Sequence, residues 1–95
     1  MPKQYAVYIM TNKYGTVLYT GITNNIIKRA FQHRQQTTGF TAKYKVTRLV
    51  YFELYEDVRE AIRREKQRKG GSRKDKIALI KINNPSFRDL YEEIL

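Results

Sequence analysis

The 95-residue chain has no cysteine, no tryptophan, two prolines and a single histidine, His33. Without cysteine there is no disulfide scaffold, no thiol nucleophile and no thiolate site for zinc or iron, and nothing points to an oxidising compartment. One histidine excludes an all-histidine metal cage within the chain. No apolar run approaches the roughly 20 residues that cross a bilayer, and the opening Met1-Pro2-Lys3-Gln4 lacks the apolar stretch of a signal peptide. These absences read as a soluble, cytoplasmic protein without membrane association. Acidic residues are scarce too. Nine of them against nineteen Lys plus Arg leave a formal charge of +10, more than solubility alone calls for, so the expected partner is a polyanion.

What the chain does have is aromatic bulk. Eight Tyr and four Phe supply apolar area for a small core, and the absence of repeats, linkers or low-complexity tracts gives one domain over residues 1–95. Tyr5 to Met10 and Val17 to Ile22 are β-branched and aromatic runs flanking the turn-forming Asn12-Lys13-Tyr14-Gly15, which predicts a β-hairpin. Folding about residues 13 and 14 places Tyr8 opposite Tyr19 or one residue diagonal to it, on one sheet face.

Asn24 is the expected N-cap of a helix through about Gln36, with Ile26, Ile27, Ala30 and Phe31 on its apolar side. Gly39 to Lys43 reads as loop, and Val46 to Leu54 as a third strand. Asp57 with Glu60 forms a capping box for a helix to about Lys69, stopped by Gly70-Gly71. Ser72 with Asp75 starts another helix through about Ile82, within which Ile77 to Ile80 could alternatively be a buried strand. Ser86 with Asp89 suggests a short C-terminal helix. The order β-β-α-β-α-α predicts an α+β (α/β) fold, a three-stranded, mainly antiparallel sheet flanked by helices.

One residue interrupts an apolar face. At about 100° per residue, Glu65 falls inside the arc spanned by Val58, Ala61 and Ile62. An ionised carboxylate there needs compensation, so it marks a salt bridge, a metal ligand or the start of a cleft. On the preceding helix Arg29 and His33 are four apart and share a face at the border of its apolar stripe. The first suits a bidentate grip on phosphate, and the second moves protons near neutral pH. Taken singly, Arg29 reads as a solvated charge and His33 as a packed, hydrogen-bonded imidazole. Arg34, mid-stripe, reads as a side chain snorkelling out at the helix end. Residues 59–76 hold nine Lys or Arg against three acids, a cluster that attracts phosphates around Glu65. Gly70-Gly71-Ser72-Arg73-Lys74 leads into a helix N-terminus that suits an anion but lacks the spacing of a P-loop.

Ala6-Val7-Tyr8, then Tyr19-Thr20-Gly21, then Arg29 eight residues after the glycine, then His33, form an ordered series. Phe40-Thr41-Ala42-Lys43-Tyr44, Arg48 to Glu53, Ala61 to Lys69 and Asn84-Pro85 continue it over nearly the whole chain. In this series the chain resembles the GIY-YIG nucleases, and among them the small stand-alone bacterial proteins related to the incision domain of the excision-repair nuclease UvrC. Ala6 stands where the name-giving glycine is usual, a small perturbation. The resemblance implies that Glu65 holds one divalent metal, usually Mg²⁺ with Mn²⁺ as the substitute. It also implies that Tyr8 and Tyr19 line the site, that Arg29 grips the scissile phosphate and that His33 acts with a tyrosine in proton transfer. Tyr8 is then the base and Tyr19 positions water or phosphate. A phenolate base requires positive surroundings, expected from Arg29, His33 and the metal.

The implied activity is that of a metal-dependent DNA endonuclease or nickase of the DNA-repair kind, whose usual products carry a 5′ phosphate and a 3′ hydroxyl. Lys28, Lys43, Arg68, Lys69 and Arg73 are the cations expected on the nucleic acid, which is DNA or, as the alternative, RNA. The competing reading is a basic nucleic-acid-binding module of the same fold that cleaves poorly or not at all. A third, a ribosome-associated protein, accounts for the charge but not for Glu65. Asn84 matches the family's late polar position less securely, because Asn83 is adjacent. The sequence carries no signal for oligomeric state.

Overall fold

The computed structural model describes residues 4–35, 39 and 43–95. The readings made on Met1-Pro2-Lys3, on Gln36 and on Phe40-Thr41-Ala42 fall outside them. The described elements are β1 (Tyr5–Thr11), β2 (Leu18–Thr23), α1 (Ile26–Gln35), β3 (Arg48–Tyr55), α2 (Val58–Gly70), α3 (Arg73–Asn83) and α4 (Tyr91–Ile94). They form the expected α+β fold. The sheet order is β2-β1-β3 with both pairings antiparallel, and the 77–80 segment is helical within α3.

The hairpin turns on Asn12. Its Oδ1 accepts the N–H groups of Thr16 at 2.8 Å and Val17 at 3.2 Å, and the Gly15 N–H bonds its carbonyl. Gly15 takes φ +68°, a conformation that needs glycine. The loop therefore spans residues 12–17, which pairs Tyr8 with Gly21 and Met10 with Tyr19. Tyr8 and Tyr19 share a face as expected, but two residues out of register instead of opposite or one removed, because the longer loop moves the pivot toward residue 15.

β1 is the central strand and separates two cores. Tyr8, Met10, Val46 and Leu49 pack on one face with Tyr19, Ile26, Phe52, Leu90 and Ile94. Ile9, Val50 and Ile80 pack on the other with Leu18, Tyr51, Leu79 and Phe87. A register shift at Ile9/Met10 against β3 leaves Val50 without a direct partner while keeping both faces apolar. α1 and α4 therefore cover the Tyr8 face, and α3 covers the other.

The helix starts differ from the sequence reading by local hydrogen bonding. Asn25, not Asn24, caps α1 by accepting the Lys28 N–H at 3.1 Å. Asp57 accepts the Arg59 N–H at 2.9 Å and Ser72 the Asp75 N–H at 3.0 Å, so both of those starts stand. The C-terminal helix begins at Tyr91, not near Ser86, since Asp89 takes the Tyr91 N–H together with the Leu49 N–H from β3.

On α1 the buried positions are Ala30 and His33, whereas Ile27 and Phe31 are exposed. His33 is bonded to Tyr8 inside the sheet face, and that turns the stripe away from the two apolar side chains. Arg34 does not snorkel into water. It pairs with Asp89 and lies over the Tyr91 ring, 4.3 Å from its centroid, tying α1 to α4.

Candidate active site

Three neighbours on two strands and a helix make the centre of the site. The Tyr8 hydroxyl lies 3.1 Å from His33 Nε2 in a buried contact. The Tyr19 ring closes the third side, with centroids 6.3 Å from Tyr8 and 5.4 Å from His33. Strand alternation brings Tyr8 and Tyr19 to one face, and α1, entering directly from β2, lays His33 over them. Gly21 makes room: a β-carbon there would stand 2.4 Å from the Tyr8 hydroxyl, so the phenol can lie across its cross-strand partner only because that partner has no side chain.

The charges around this triad come from two helices. Arg29 lies one turn before His33 and is exposed. Its positive charge acts on both the phenol and the imidazole, favouring ionisation of Tyr8 and opposing protonation of His33. Glu65 of α2 acts on Tyr8 with the opposite sign. Burial dominates at Tyr8: together with Tyr19 and Glu65 it outweighs Arg29 and holds the phenol far above its ordinary range. Burial, aided by Arg29, lowers the His33 pKa below the usual value near 6.5. Burial thus works against the positive surroundings expected to favour a Tyr8 phenolate. Among the protein groups, burial favours the neutral form of both Tyr8 and His33, and a neutral imidazole can accept a proton. His33 Nδ1 is buried with no hydrogen-bond partner among the described residues.

Glu65 is 15% exposed and meets Lys69 of its own helix at 3.5 Å. The salt-bridge reading of this residue is thus realised, yet with a lysine that is 54% exposed, outside the apolar interior. Because the lysine is half in solvent, a competing cation can replace it at Glu65. Ala61 is the buried residue of α2, and partly buried ionic pairs flank it. Arg64 Nε bonds both Glu53 oxygens, at 2.9 and 3.2 Å, and Arg68 stands 3.7 Å from the same carboxylate. Glu53 in turn helps burial push Tyr51 up to about 12. Val58 and Ile62, expected inside, stay half-exposed along a 340 Å³ groove that Arg29 also lines.

The expected nucleic-acid cations have different partners. Lys28 lines a small polar cleft with Arg29, Asn24 and Asn25 at the start of α1. Lys69 stands at Glu65, but Arg68 is committed to Glu53. Arg73 donates to the Gly15 carbonyl at 3.0 Å and braces the hairpin, and Lys43 lies over the ring of its neighbour Tyr44. Asn84 is a brace: its Nδ2 donates to the Val50 and Arg88 carbonyls and its Oδ1 accepts the Arg88 N–H. Two features had escaped the sequence reading. Gly21 was visible only as part of a motif, and Glu53, lying in a strand pattern, gave no sign that it would neutralise Arg64 and Arg68.

Residues 4–78 match the family model described as the GIY-YIG catalytic domain. The chain belongs to the GIY-YIG family. This GIY-YIG domain is 40% identical over 92 residues to the UPF0213 protein CPE1444 of Clostridium perfringens, covering 93% of this chain and 95% of that protein. It is 42% identical over 84 residues to the UPF0213 protein SH2523 of Staphylococcus haemolyticus, covering 84% and 96%. The solution structure of the UPF0213 protein BH0048 from Bacillus halodurans superposes with a TM-score of 0.56 at 27% identity, covering 88% of this chain and 89% of that one. These relatives are bacterial proteins that the chain covers nearly end to end. Membership implies a nucleic-acid substrate and the divalent-metal chemistry general to these nucleases. No helix among the described residues is long and apolar enough to cross a membrane.

Proposed function

We propose that this GIY-YIG domain, as one folded unit over residues 1–95, hydrolyses phosphodiester bonds in DNA as a metal-dependent endonuclease or nickase acting in the cytoplasm on repair-type substrates. The observation that carries the reading is the 3.1 Å contact between a neutral phenol and a neutral imidazole, within the fields of Arg29 and Glu65. Attack of water on phosphorus breaks the P–O3′ bond and leaves a 5′ phosphate. The water loses a proton as it attacks. The Tyr8 oxygen takes it while the Tyr8 hydroxyl proton passes to His33 Nε2, so the pair moves a proton without forming free phenolate. Arg29 grips the non-bridging oxygens of the scissile phosphate, with Lys28 beside it. Tyr19 positions the water or the phosphate.

Glu65 is the residue that would hold the divalent cation, Mg²⁺ or Mn²⁺. Its donor chemistry fits: Mg²⁺ keeps several waters and binds through one or two carboxylates plus substrate phosphates. No group of three His, Cys, Asp or Glu is present among the described residues, so a fully protein-built cage is not what this site offers. When bound, the cation supplies charge stabilisation for the phosphate and the leaving 3′ oxygen.

Nicking of supercoiled plasmid with Mg²⁺ or Mn²⁺ tests the reading. Arg29→Ala, Tyr8→Phe and Glu65→Ala should each lower the rate by about 10²-fold or more. Equal loss of supercoiled plasmid in the wild type and in Glu65→Ala would mean contamination. A second reading, a binding module that does not cut, draws on Lys69 already neutralising Glu65. Retention of DNA without nicking at any metal concentration would select it.

A further inference from the structure

A second groove, of about 330 Å³, opens at the hairpin end of the sheet. Lys13, Arg48 and Lys81 line it with Tyr14 and Phe87, and no acidic side chain does. The three cations come from the hairpin loop, the first residue of β3 and α3, so the fold gathers what the sequence scatters. None of the three has an ion-pair partner among the described residues, in contrast to Arg64, Arg68 and Lys69. Bringing like charges together without counter-charge is unfavourable unless an anion compensates them.

The groove is also shaped. Phe87 adopts φ +54°, unusual for a bulky residue, and its ring packs against Gly15, whose carbonyl is held by Arg73. Tyr14 is 77% exposed at the hairpin tip, with Lys13 Nζ over its ring at 5.8 Å from the centroid, so cation and aromatic ring stand together at the groove. Cations that track a phosphate backbone next to an exposed ring are the elements of single-strand recognition, because every base offers a stacking face but only an unpaired one is free to use it.

We infer that the Lys13–Arg48–Lys81 groove is an exosite for single-stranded nucleic acid, with phosphates on the three cations and an unpaired base on Tyr14. Thr11 lines the groove three residues along β1 from Tyr8, about 10 Å at strand rise. Its side chain faces away from the Tyr8 core, so the exosite is separate from the candidate active site. The inference rests on the proposed function only for the identity of the polymer as nucleic acid. A substrate with an unpaired stretch beside the cut could occupy both places.

Fluorescence anisotropy with a labelled dT12 strand and a 12-base-pair duplex, in magnesium-free buffer, tests it on the full chain. Lys13→Ala/Arg48→Ala/Lys81→Ala should weaken dT12 binding and reduce its salt slope by about 2. Arg63→Ala/Lys66→Ala/Lys74→Ala removes the same charge elsewhere and should do so markedly less. Tyr14→Ala, at a site too exposed to unfold the domain, should weaken dT12 at least about fivefold while leaving the duplex unchanged, and Tyr14→Phe should retain affinity. Equal effects of the two triple variants, or duplex and single strand losing alike in Tyr14→Ala, would overturn the exosite. Plasmid nicking run in parallel separates the readings: wild-type nicking with an unchanged dT12 profile defeats the exosite alone, and absent nicking with the expected profile defeats the nuclease reading alone.

Discussion

The Tyr8 phenol occupies the space that a side chain on Gly21, its cross-strand partner, would need: a β-carbon at position 21 would lie 2.4 Å from the Tyr8 oxygen and 2.5 Å from the carbon bearing it. The Tyr-x-Gly of β2 is therefore one device. Its tyrosine closes the pocket and its glycine lets the other phenol lie down into it, within reach of His33.

Gly21→Ala tests that dependence. Tyr8 is 1% exposed and its ring is rigid, so the clash cannot be relieved at the far end of a flexible chain. The variant should lose about 1–3 kcal/mol of stability and most of its nicking activity, read by urea denaturation and by the plasmid assay. Full activity at wild-type stability would mean that Tyr8 does not need this position.

The pH dependence follows from His33, whose pKa lies below the usual 6.5. A general base that is neutral when active loses activity as pH falls through its folded-state pKa, so kcat/KM should show an acid limb below pH 6.5. His33→Gln should remove that limb. The unfolded chain takes up a proton near pH 6.5 that the folded chain resists, so stability should fall as pH drops from about 6.5 to the lower folded value and be insensitive to His33 above it. Denaturation midpoints at pH 7.5 and 5.5, compared between wild type and His33→Phe, measure this. A parallel decline in both would remove His33 as its source.

Lys69 competes with any cation for Glu65, at 3.5 Å. Lys69→Ala should therefore tighten Mn²⁺ binding measured by calorimetry without nucleic acid, by about two- to tenfold, since one unit charge is removed from a largely solvated position. Glu65→Gln should abolish it. If Mn²⁺ binds wild type and Glu65→Gln alike, the ion is held elsewhere.

Asp89 gathers three interactions from separate parts of the chain. It accepts the Leu49 and Tyr91 N–H groups and pairs with Arg34, which lies over Tyr91. Asp89→Ala should cost about 1–3 kcal/mol, the penalty for leaving the Leu49 N–H without its acceptor, whereas Arg34→Ala, removing a half-exposed charge, should cost less than about 1 kcal/mol. Equal losses would place the energy in the ion pair.

Strand and helix order, the antiparallel sheet and two helix starts were legible because they rest on local signals: the β-branched and aromatic run from Tyr5 to Met10, capping at Asp57 and Ser72, and turn residues at Asn12 to Gly15. Each of these is settled within a few residues by backbone hydrogen bonding and side-chain volume. The ordered motifs around Tyr8, Tyr19, Arg29, His33 and Glu65 were legible as a resemblance to the family whose model matches residues 4–78. What the sequence could not determine is which charges meet. Burial outweighs Arg29 at Tyr8; Glu53, on the strand just before α2, pairs with Arg64 and Arg68; and Lys13, Arg48 and Lys81 are brought together from three elements. Pairing and desolvation depend on distances between residues far apart in the chain, and only the folded packing fixes those distances.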